Sequence, residues 1–89
     1  MYESDIERAH TKKHEDKGGK VYKFKTTKIG APDRLFLSYI PQRYRLLISK
    51  YVRFVEFKAP KKKPSHHQKI FHRELQRLGF RVDIIDRLP

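Results

Sequence analysis

The 89-residue chain has no cysteine. Without thiols it can form no disulfide and no thiolate zinc site. It also lacks any apolar run near the roughly 20 residues that a membrane-spanning helix needs. Its first residues do not make a signal peptide, because Glu3, Asp5 and Glu7 interrupt any apolar stretch. There are no internal repeats. Acidic residues are few: 10 Asp+Glu stand against 22 Lys+Arg, which gives a net charge of +12 and a pI near 10.2. So large an excess in so short a chain points to a polyanionic partner. These features fit a soluble, cytoplasmic, intracellular protein of one domain, residues 1–89, with a small core that gains from a partner subunit.

The pattern predicts α/β (mixed) architecture in the order α-β-β-β-α-β. Residues 2–16 read as a helix, with Ser4-x-x-Glu7 as a capping box and Gly18-Gly19 as the stop. Its apolar side is thin, limited to Tyr2, Ile6 and Ala9. Glu3, Glu7, His10 and His14 fall on one stripe. Glu-x-x-His spacing recurs in carboxylate-bridged metal sites of four-helix bundles, but this chain offers two helices, so the histidines read as solvated. Residues 20–25 alternate charged and apolar, as in a half-buried strand with Val21 and either Tyr22 or Phe24 inward. A loop closed by Gly30 and Pro32 leads to a strand at 33–39, with Asp33 at its mouth; Pro32 fixes its own φ and extends Ala31.

Pro41-Gln42-Arg43 opens a connection with a basic edge and a turn of helix through Leu46. Residues 50–58 form the next strand, which makes 33–58 an antiparallel hairpin with an enlarged loop. The second helix spans 65–78. Ser65-x-x-Gln68 is its capping box, Ile70, Phe71, Leu75 and Leu78 are its apolar stripe, and Gly79 is its stop. Residues 80–85 form the last strand, with Phe80, Val82 and Ile84 inward. His66, His67 and His72 match no zinc spacing and receive no ligand role.

The chemistry lies in Asp33, Glu56 and Lys58. Side chains alternate across a strand, so Glu56 and Lys58 share a face and Phe57 takes the other. Taken alone, Asp33 reads as a turn aspartate after proline, and Glu56 with Lys58 as an ion pair on a solvated face. Taken together, two carboxylates and a lysine on one surface suit metal-dependent phosphodiester hydrolysis, with Mg²⁺ or Mn²⁺ held by oxygen ligands. Lys61-Lys62-Lys63-Pro64, just past that strand, is a basic loop fit for phosphate contact. Arg34 and Arg73 are further DNA-facing candidates.

Pro32-Asp33 followed by Glu56-Phe57-Lys58 resembles the signature of the PD-(D/E)XK nuclease superfamily. The wider set is similar to the short, stand-alone phage form of the VRR-NUC domain. That set comprises Gly18-Gly19, Lys23-Phe24, Gly30-x-Pro32-Asp33-Arg34, Val55-Glu56-Phe57-Lys58-Ala59-Pro60, Gln68 and Leu78-Gly79-Phe80-x-Val82. It covers nearly the whole chain, and the ordered flanking pieces carry more weight than the central motif.

The resemblance implies a restriction-endonuclease-like core, a small mixed sheet flanked by helices. It implies a metal site of Asp33, Glu56, the backbone carbonyl of Phe57 and a first-helix glutamate, Glu7 first and Glu3 second. Lys58 would act on water or on developing charge, and Gln68 would lie near the active centre. The implied function is structure-specific DNA endonuclease action on branched DNA such as Holliday junctions, in a phage-infected bacterial cell. The implied assembly is a homodimer, for which Tyr39, Ile40, Tyr44 and Leu47 are interface candidates. The alternative is a basic nucleic-acid-binding module without catalysis. A third class, a subunit interaction protein, predicts no dependence on Asp33 or Glu56.

Overall fold

A computed structural model describes residues 2–89. Seven elements follow one another: α1 (Glu3–Asp16), β1 (Lys20–Lys23), β2 (Arg34–Leu37), α2 (Gln42–Ser49), β3 (Arg53–Phe57), α3 (His66–Leu78) and β4 (Arg81–Ile85). Over the described residues the chain is thus small mixed α/β, with three helices and four strands in two two-stranded sheets. It divides into two compact units, residues 1–39 and 40–89.

In the first unit, α1 leads into an antiparallel ladder of β1 and β2 that runs from Lys20 opposite Leu37 to Lys23 opposite Arg34. The helix starts one residue later than expected and is closed differently. At its start the Asp5 carboxylate reaches back and accepts from the Tyr2 N–H at 3.1 Å. Ser4, the expected cap, lies inside the helix. Gly18 ends it with a φ of 90°, a left-handed conformation that costs glycine nothing.

His14 is not solvated, contrary to the sequence reading. Its ring is half-buried, its Nε2–H donates to the Leu37 carbonyl at 2.7 Å, and its centroid lies 4.9 Å from that of Phe36. The ring fills the space over Gly19, where an added Cβ would collide with it. Tyr22 is half-buried, whereas Phe24 remains 45 % exposed, so Tyr22 is the aromatic that turns inward.

The second unit is a β-α-β arrangement. β3 and β4 run parallel, from Arg53 beside Arg81 to Phe57 beside Ile85, and α3 is part of the crossover between them. This replaces the antiparallel hairpin expected over 33–58: β2 takes β1 as its partner and β3 takes β4. A short connection serves an antiparallel pair, but a parallel pair needs a long crossover, and only the segment holding α3 provides one here. The helical turn expected after Pro41 is a full helix, α2, which adds an element to the expected order.

Leu75 and Leu78 are buried on α3 at 1 % and 5 % exposure, with Ile40 beside them in the core. Ile40 is therefore buried and not the exposed residue expected: its N–H donates to the Leu78 carbonyl at 2.7 Å, while Tyr39, Tyr44 and Leu47 stay exposed. Ile70, Phe71 and Ile84 are also more exposed than the apolar pattern implies. Two-stranded sheets offer little surface to bury against, so alternation alone overstates the core. Both ends of α3 follow the sequence. Ser65 Oγ accepts from the Gln68 N–H, Gln68 Oε1 accepts from the Ser65 N–H at 2.8 Å, and Gly79 closes the helix at φ 105°.

Candidate active site

The second unit carries Glu56 and Lys58. Glu56 is half-buried near the end of β3, beside Ile84 of β4. Alternation gives Phe54 and Glu56 the same face, the one that meets α3. Phe54 packs edge-on to Phe80, with centroids 5.7 Å apart and planes at 86°. Glu56 Oε1 lies 3.5 Å from His72 Nε2. A cavity of about 170 Å³ opens there, lined by Phe54, Val55, Phe71, Leu75 and Val82 around the Glu56–His72 pair. Lys58 follows the strand, and its N–H donates to the Ile85 carbonyl at 2.9 Å. The ladder thus runs one residue beyond β3, and alternation places Lys58 on the Glu56 face. Phe57, on the opposite face, is 73 % exposed.

The basic loop follows directly. Lys61, Lys62 and Lys63 are all exposed, in a turn where the Lys62 N–H donates to the Ala59 carbonyl at 3.0 Å. Lys61 takes a φ of 68°, uncommon for a residue with a Cβ. Arg73 is exposed on α3. The second unit holds 13 Lys+Arg against 4 Asp+Glu, net +9, and the first 9 against 6, net +3, so most of the excess charge travels with Glu56 and Lys58.

In the first unit, Asp33 is exposed and sits immediately before β2. Its carbonyl accepts from the Phe24 N–H at 2.8 Å and from Arg34 Nη1 at 3.0 Å, which ties its backbone to the sheet. Glu3 is exposed at the first turn of α1. Glu7 is half-buried, with Oε1 2.5 Å from Arg34 Nη2. The acid expected to hold metal and the arginine expected to meet DNA therefore satisfy each other. Among the described residues, neither unit by itself gathers three or more His, Asp or Glu side chains into a metal-holding group.

Gln68 is half-buried, and its amide oxygen is committed to the helix cap. The residue that meets Glu56 is instead His72, one turn further along α3, which no zinc spacing singled out. The signal was present in the helical period: His72 precedes Leu75 by three and so lies on the buried stripe.

A third feature of the second unit is Asp83 on β4. Arg81 Nε lies 2.9 Å and Arg53 Nη1 3.1 Å from its Oδ2. The hydrogen bond from Arg81 holds its carboxyl below the usual aspartate range. Desolvation opposes this in part, and the Arg81 charge and the contact with Arg53 add to it. This cluster lies on the face opposite Glu56, by register with Val55.

Comparison with protein-family models, with curated proteins and with solved structures finds no match. No helix among the described residues is long and apolar enough to cross a membrane.

Proposed function

We propose that this chain is a metal-dependent structure-specific DNA endonuclease of the VRR-NUC type, built on a restriction-endonuclease-like core and acting as a homodimer on branched DNA. The observation that carries the reading is the β3 ladder continuing to the Lys58 N–H, from which strand alternation gives Glu56 and Lys58 one face, in the unit of net +9. The donor set fits a hard cation, because the carboxylates and the Phe57 carbonyl offer oxygen and no thiol is present. In the second unit, Glu56 and the Phe57 carbonyl would hold Mg²⁺ or Mn²⁺. The bound cation would polarise the phosphate and lower the pKa of water.

The chain's own part is positional and electrostatic. Lys58 orients water or stabilises charge that develops on the phosphate. Lys61, Lys62 and Lys63 hold the DNA backbone, which carries no sequence information, so substrates are chosen by shape. A four-way junction has two-fold symmetry, and two sites related by a dyad match its two cuts.

The non-catalytic DNA-binding module remains the second reading. It is favoured by the Glu7–Arg34 pair, which occupies the α1 carboxylate. The deciding experiment is cleavage of a panel of branched and linear DNAs by pure protein with Mg²⁺ or Mn²⁺. Nicking that stops with EDTA and is lost in Glu56→Gln supports the nuclease. Binding without any cleavage supports the module.

A further inference from the structure

We propose that His72 is a positioning residue for Glu56: its Nε2–H holds Oε1 of the carboxylate and leaves Oε2 to face the divalent cation. This rests on the nuclease reading and adds a residue that the sequence left without a role.

The two side chains come from different elements, β3 and α3, and meet at 3.5 Å. His72 retains 13 % side-chain exposure and Glu56 28 %, so the imidazole is the more enclosed partner and the carboxylate the more open one. The remaining lining of their cavity, Phe54, Val55, Phe71, Leu75 and Val82, is apolar. It offers no other side-chain donor to turn the carboxylate. A ligating carboxylate with no fixed orientation loses affinity to rotamer freedom, and an outer partner that fixes it restores the geometry. The neighbouring amide, Gln68, does not line this cavity, and its Oε1 is tied to the helix cap by the Ser65 N–H. The backbone holds the pair from both sides. Glu56 sits in the parallel ladder beside Ile84, and His72 sits one turn before Leu75, the most buried side chain of the chain's described residues.

The test is Mn²⁺ binding to the full chain without DNA, by isothermal titration calorimetry. Wild type, His72→Ala, His72→Gln and Glu56→Gln are compared, with thermal melts to establish folding. Loss of an outer partner of a metal ligand costs about 10- to 100-fold in affinity. His72→Ala is expected to weaken Mn²⁺ by that factor, and His72→Gln, which keeps an N–H donor, to recover most of it. Nitrogen NMR of the wild-type imidazole gives an independent reading: His72 keeps its proton on Nε2 before and after Mg²⁺ addition.

Wild-type affinity in folded His72→Ala overturns the proposal, as does a proton on Nδ1. Equal loss in folded His72→Ala and His72→Gln also overturns it, because the ring would then be a ligand itself. In each of these cases Glu56→Gln still abolishes Mn²⁺ binding and the nuclease reading stands. If Glu56→Gln binds Mn²⁺ as wild type does, the nuclease reading falls and this inference falls with it.

Discussion

Glu7 and Arg34 form an ion pair that joins α1 to the first residue of β2, with Oε1 and Nη2 2.5 Å apart. Both side chains are partly open to solvent, at 40 % and 27 % exposure, so screening limits what the contact contributes. Pairs of this kind contribute about 0.2–1 kcal/mol. A double-mutant cycle of Glu7→Ala and Arg34→Ala, read by denaturant unfolding, is expected to return a coupling in that range that shrinks at high salt. A coupling of zero would remove the pair as a fastener of the first unit.

Catalysis and binding separate at Lys58. Lys58→Ala removes one of 22 cationic side chains, so affinity for a four-way junction is expected to change little. The single-turnover cleavage rate in Mg²⁺ is expected to fall by about a hundredfold or more, the scale of a group that acts in the transition state. Glu56→Ala is expected to lose rate as severely and to bind DNA slightly better without metal, because a negative charge facing phosphate is gone. Gel shifts in Ca²⁺ and rates in Mg²⁺ check both variants. Near wild-type cutting by both would place the site elsewhere.

The basic loop should set the salt response. Replacing Lys61, Lys62 and Lys63 together with alanine is expected to lower affinity for all DNA structures alike and to flatten the plot of log affinity against log salt. Fluorescence anisotropy across a salt series measures the slope. An unchanged slope would take the loop off the DNA.

Asp83 gives a pH dependence of known sign. Its folded carboxyl titrates below the unfolded one, because Arg81 and Arg53 favour the charged form. Its contribution to stability is therefore present above the unfolded aspartate pKa. It is lost as pH falls through the depressed folded value. Wild type is expected to exceed Asp83→Asn in melting temperature near neutral pH, with the gap closing in the acid range below the usual aspartate pKa. A gap that stays constant with pH would mean that the asparagine acts through packing alone.

Much of this was legible in the residues, for local reasons. Gly18, Gly79 and the Ser65–Gln68 box mark helix ends because the left-handed turn and the cap act within a few positions of the chain. The strands at Lys20 and Arg81 show in alternation, and those at Arg34 and Arg53 as short apolar runs. Their pairing does not, because Arg34–Leu37 and Arg53–Phe57 read alike as hairpin partners until the crossover through α3 is known. The partners of His14 and His72 stay hidden for a related reason. A histidine's neighbours lie in distant segments, at Leu37 and Glu56, and no spacing within one helix reveals them. Among the proposed ligands, the sharing of a face by Glu56 and Lys58 follows from strand period alone, whereas the capture of Glu7 by Arg34 depends on how α1 meets β2.

The parallel pairing of β3 with β4 also imposes an order in time. Both caps of α3, the Ser65–Gln68 box and Gly79, are local, so the helix can form early, while the ladder must wait for a long loop to close. Glu56, His72 and the Lys58 amide come together only at that closure, so the candidate site matures among the last parts of its unit. Pulse-labelled hydrogen exchange during refolding is expected to protect amides inside α3 before the Lys58 amide that bonds Ile85. Simultaneous protection would mean that helix and ladder form as one cooperative step.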